Sequence, residues 1–144
     1  MSESYKRSTL LTAFYDRIAG ALSGTEPCVK IAEFRFGHGF VDEATLDPAT
    51  GLPTLQPIPS DLSALPGEFF TGIPQMQKSD GRVLVRCHFP AGSVAQPHKF
   101  SLIGLYDEQG NLLCVMQDLP DWLTPSDEHT AYGYLDFPHL GETP

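Results

Sequence analysis

Cysteine, positive charge and long apolar runs are all scarce in this chain. Three cysteines, Cys28, Cys87 and Cys114, are spread over its 144 residues. They are too few and too far apart for a disulfide framework or a CxxC metal knuckle. They read as buried, reduced thiols that behave as small hydrophobes, as in a protein made and kept in a reducing cytoplasm. Lys and Arg total 9 against 18 Asp and Glu, a formal net charge of -9. Cations so few and so scattered supply no basic face, which argues against a nucleic-acid partner. No stretch approaches the roughly 20 apolar residues of a membrane-spanning helix, so no membrane partner is expected. The start, MSESYKRSTL, lacks the apolar stretch of a secretory signal. A long helical bundle is excluded by 13 glycines and 13 prolines. What is present is a 41% hydrophobic share, enough to bury a core. The chain reads as one acidic, turn-rich domain over residues 1–144.

Residues 8–23 read as a helix. Ser8 or Thr9 can serve as N-cap, and Leu11, Phe14, Tyr15, Ile18 and Leu22 recur at steps of three and four. Ser23-Gly24 stops it, and Pro27 follows. Val29 to Phe36 alternates imperfectly, as a strand with a bulge or with both faces partly covered would. Residues 42–66 hold five prolines (Pro48, Pro53, Pro57, Pro59 and Pro66) and little periodicity. A segment of that length is read as an arm or lid, packed over the surface or reaching to a neighbour.

The part from 69 to 137 is rich in strands. Arg82 to Phe89 sets Val83, Val85, Cys87 and Phe89 on one face and Arg82, Leu84, Arg86 and His88 on the other. Lys78 to Gly81 and Asp107 to Gly110 are hairpin turns. Gly104 inside an apolar strand marks a bulge or a close backbone approach. Trp122 to Glu128 is read as a polar connection. In the last strand, Thr130 to Phe137, Tyr132, Tyr134 and Asp136 oppose Ala131, Gly133, Leu135 and Phe137. The expected fold is α+β: an N-terminal helix packed on a mainly antiparallel sheet or sandwich, with a long proline-rich loop.

Catalytic patterns are missing. The five histidines, His38, His88, His98, His129 and His139, pair with none of their own kind at ligand spacing. His38 near Asp42 and Glu43 is the best metal constellation on offer. Gly37-His38-Gly39 has neither the third glycine nor the lysine of a phosphate loop and reads as a strand break. The acidic pairs Asp42-Glu43, Asp107-Glu108 and Asp127-Glu128 fall in turns, where carboxylates face water. The chain is therefore expected to be no enzyme, with no catalytic residue, metal or cofactor. Aromatic residues point elsewhere, since Phe34, Phe36, Phe40, Phe69, Phe70, Trp122, Tyr132, Tyr134 and Phe137 exceed the needs of one small half-exposed sheet. The expected interface comprises the helix stripe Leu11, Phe14 and Ile18 together with Tyr106, Trp122, Tyr132 and Tyr134.

From Phe100 onward the sequence resembles the N-terminal, baseplate-attachment domain of phage tail-collar fibre proteins. The matching pieces are Ile103-Gly104-Leu105-Tyr106-Asp107, Gly110-Asn111-Leu112, Pro120 and Thr124-Pro125-Ser126-Asp127. Leu11-Thr12 in the helix, and Ile31 to Gly39, are similar to the family as well. The match is specific over about 40 residues and weakens between Asp42 and Ser79, where the proline-rich arm lies. The resemblance implies a structural virion protein that connects or anchors tail fibres to the baseplate. Its partners would be baseplate and tail-fibre proteins, and it would form a dimer or trimer in the particle. It would be assembled in the host cytoplasm and reside in the virion tail. The alternative is a tail-fibre assembly chaperone that leaves before the particle matures.

Overall fold

Alternating strand formers separated by turn glycines dominate the sequence, and the chain folds into ten strands and one helix among the described residues. The computed structural model describes the backbone of residues 2–136 and the side chains from Ser8 onward. Phe137 and His139 lie outside the described residues. In chain order the elements are β1 (Ser2–Leu10), α1 (Thr12–Leu22), β2 (Ile31–Gly37), β3 (Val41–Leu46), β4 (Pro53–Leu55) and β5 (Phe70–Gly72). They are followed by β6 (Gln75–Ser79), β7 (Arg82–Phe89), β8 (His98–Asp107), β9 (Leu112–Leu123) and β10 (His129–Asp136).

Eight strands hydrogen-bond in the order β5-β2-β8-β9-β1-β10-β7-β6, and β3 pairs with β4. Every neighbouring pair is antiparallel except β1 with β10. The chain's first strand serves two partners. Ser2 to Lys6 run parallel to His129 to Gly133, whereas Arg7 to Leu10 run antiparallel to Gln117 to Cys114. The ladder turns a corner there, so that β6, β7 and β10 face β9, β8, β2 and β5. Between the two halves lie Phe34 and Phe36 of β2, Phe100, Ile103 and Leu105 of β8, Val85, Cys87 and Phe89 of β7, and Leu135 of β10. Burying each large side chain there contributes about 1.5–3 kcal/mol.

The other face of β8 and β9 is also covered. Leu102, Tyr106, Leu112 and Val115 pack with Leu11 under Ile58 and Leu65, flanked by Phe40 and Leu62. This explains why β8 reads as an unbroken apolar run. Gly104 lies on that covered face, where a Cβ would stand 2.9 Å from Leu112 Cδ1 and 3.3 Å from Leu65 Cδ1. A side chain there would push the covering segment away.

Two expectations need correction, the start of the helix and the connection at Trp122. The helix begins at Thr12, with Leu11 at the N-cap and no side-chain capping bond. Residues 8–10 belong to β1, and the Ser8 hydroxyl donates to the Tyr134 carbonyl at 2.7 Å instead of capping. The proline-rich stretch contains the β3–β4 hairpin, and its remainder lies on the chain's own sheet. Trp122 is no connection residue, because β9 continues to Leu123 beside His98. The imperfect alternation of Val29 to Phe36 has its cause in a register shift between Ile31 and Glu33.

Candidate functional site

Strand alternation places Leu84, Arg86 and His88 of β7, with Tyr132 and Tyr134 of β10, on the outer face of their half of the sandwich. Register sets Tyr134 beside Leu84, Tyr132 beside Arg86 and Asp136 beside Arg82. The Arg82 guanidinium stacks 3.8 Å over the Tyr134 ring while its Nε donates to Asp136 Oδ1 at 2.7 Å. Arg86 Nη1 donates to Gln75 Oε1 at 2.8 Å, and His88 Nδ1 lies 2.9 Å from Thr130 Oγ1. The two arginines and two tyrosines are half-buried, whereas Gln75 and Asp136 are exposed. Strands β7 and β10 place two tyrosines and two arginines side by side on one face.

Around the corner, at the end of the sandwich where α1 crosses, lies a groove of about 360 Å³. Phe14 and Ile18 of α1, Val29, Ile31, Met76, Val83 and Leu135 form its walls, and Lys30 is its one charged lining residue. The groove opens beside β6, the last strand of the sheet, whose residues are all exposed. Ile73, just ahead of β6, is 82% exposed.

The residues expected to form one interface are dispersed. Leu11 and Tyr106 are fully enclosed, and Phe14 is 8% exposed, so the first two belong to the core and the third to the groove floor. Tyr106 Oη donates to Glu68 Oε2 at 2.8 Å and accepts from Leu65 N–H at 3.2 Å, with Arg35 stacked 4.0 Å over its ring. Burial and the bond to Glu68 push its hydroxyl up to about 12. Ile18 lines the groove, Tyr132 and Tyr134 share the outer face, and Trp122 stands 56% exposed at the far end of β8 and β9. Met76, Val83, Arg82 and Arg86 carry no aromatic or motif signal that marks them for a surface. The outward phase of β7 was the available signal for the two arginines.

The best metal constellation also separates. His38 Nε2 lies 2.8 Å from Glu43 Oε1, and Lys99 Nζ pairs with the same carboxylate. Lys99 holds the Glu43 carboxyl below the ordinary glutamate range. Asp42 instead accepts from the N–H groups of Ala44 and Thr45, both at 3.1 Å. Among the described residues, no group of three His, Cys, Asp or Glu is placed to hold a metal ion. The strand break at Gly37 is a packing device: a Cβ there would fall 2.4 Å from the Pro66 carbonyl. Asp107 does not face water, for its side chain is buried against Arg17 of α1.

No protein-family model, curated protein or solved structure matches the chain. The residues on which a fibre-protein likeness was expected to rest sit in strands and turns. Ile103 to Asp107 form the second half of β8, and Gly110 closes the β8–β9 turn at φ +84. Asp127 Oδ2 accepts from Thr124 N–H at 2.7 Å and its own N–H returns to the Thr124 carbonyl at 3.0 Å, closing the turn before β10.

Proposed function

We propose that this chain is a structural protein of a phage or phage-like tail, connecting or anchoring tail fibres to the baseplate through protein–protein contacts. The observation that carries the reading is the outer face of β7 and β10. Tyrosine and arginine dominate the energetics of protein interfaces, because each offers a large contact area with a polar tip. Here Arg82 clamps Tyr134, so little side-chain entropy remains to be lost on docking. The fibre-protein resemblance supplies the class of partner, baseplate and tail-fibre proteins, and the symmetry of tails supplies a dimer or trimer in the particle. The chain would be assembled in the host cytoplasm and kept in the virion tail.

Tyr134→Ala tests the face. Incorporation into particles is expected to fall by more than about tenfold while the urea midpoint of the purified chain changes little. Equal losses of folding and incorporation would count against the interface. Mass spectrometry of purified particles tests the role: stoichiometric copies support a connector, and absence from mature particles favours the assembly-chaperone alternative.

A further inference from the structure

We propose that the β6 edge and the adjoining groove form a strand-addition site for an extended, acidic–apolar segment of a partner protein. The proposal rests on the tail-connector reading and names the chemistry of one of its contacts. β6 ends the sheet, and its outward N–H and C=O groups meet no strand among the described residues. Such an edge templates the backbone of an added strand. Register pairs Met76 with Val85 and Lys78 with Val83, so Met76 and Lys78 share the inward face of β6. A strand added outside β6 continues that face and carries every second side chain toward the groove. Its volume of about 360 Å³ accommodates one or two large apolar side chains.

Charge selects the occupant. Lys30 is the one charged residue of the groove lining, Lys78 stands on the open edge, and among the described residues no Asp or Glu lines the groove. A second copy paired antiparallel through its own β6 would set Met76 against Lys78 and gather four lysines with no carboxylate among the described residues of either groove. The complementary segment carries apolar residues toward the groove and an Asp or Glu at either end.

The test is an NMR titration of the isotope-labelled chain with the synthetic peptide Glu-Thr-Val-Thr-Val-Thr-Glu and with its counterpart bearing Lys in place of both Glu. Expected are amide shifts confined to β6 and to the groove residues Ile31, Val83 and Leu135. The lysine peptide is expected to bind about fivefold more weakly, as two exposed charge pairs change sign. Lys30→Glu combined with Lys78→Glu, both exposed and tolerant of substitution, should reverse that order. Met76→Glu should abolish binding while leaving the amide spectrum of β9, which does not line the groove, unchanged. Equal affinity for both peptides, shifts elsewhere, no shift at millimolar peptide, or a dimer formed through β6 in sedimentation would each overturn the proposal. A silent titration with the chain stoichiometric in particles overturns strand addition alone. Absence of the chain from particles overturns the connector reading and leaves the peptide result standing.

Discussion

The Asp107 carboxylate accepts from Gln109 N–H at 2.9 Å, Asn111 N–H at 2.8 Å and Asn111 Nδ2 at 3.1 Å, and it pairs with Arg17. One side chain thereby ties the β8–β9 turn to α1. Burial raises its pKa, but the bonds from Asn111 and Gln109 and the charge of Arg17 outweigh that penalty and hold the carboxyl below the ordinary aspartate value. A folded pKa below the unfolded one, near 3.9, contributes stability above that pH and loses it as pH falls through the folded value. Asp107→Asn should therefore flatten the decline of the urea midpoint between about pH 5 and pH 2. At neutral pH the same variant leaves buried Arg17 with only its longer 3.5 Å contact to Glu108, at a cost of up to about 3 kcal/mol. A variant with an unchanged neutral midpoint and an unchanged acid slope would show that the pair holds nothing together. This lock was not legible beforehand. Arg17 sits within an apolar helical stripe, and the acidic turn looked like any solvated turn, since their meeting depends on contact 90 residues apart.

Among the elements, β7 was the most legible, because period-two alternation declares both faces of a half-covered strand. Val85, Cys87 and Phe89 do point inward. Residues 42–66 were the least legible, since proline removes periodicity without saying what the segment covers. In the structure, Ile58 and Leu65 close the second face of β8 and β9, and the Pro66 carbonyl accepts from His38 N–H at 3.1 Å. The tip of the β3–β4 hairpin is different, with Leu46 and Leu52 each about half exposed. A short Gly-Ser turn in place of residues 47–52 should shift Tm by no more than about 2 °C. Deleting residues 57–66 should abolish cooperative unfolding, because Leu102, Tyr106, Leu112 and Val115 would lose their cover. Thermal melts of the two variants separate these outcomes, and a cooperative melt for the second deletion would show that the segment is a dispensable appendage.

At the scale of the whole molecule, β1 is the hinge of the architecture, because it alone joins β9 to β10. A chain beginning after residue 10 should lose both sheet halves together, seen as one loss of amide protection across β7, β9 and β10. Survival of β8–β9 protection at its full value would mean that the halves are independent. The sequence by itself determined the local periods, the turns at Gly81 and Gly110, the shortage of positive charge and the mainly antiparallel character. Each of these is set by neighbours a few residues apart. Only the tertiary structure decided that Leu11 and Tyr106 are internal, that the proline-rich segment is a layer, and that Arg82 and Tyr134 form one ordered surface. Burial and side-chain pairing at those places depend on which faces meet across the sandwich, and that is set by strand order over the whole chain.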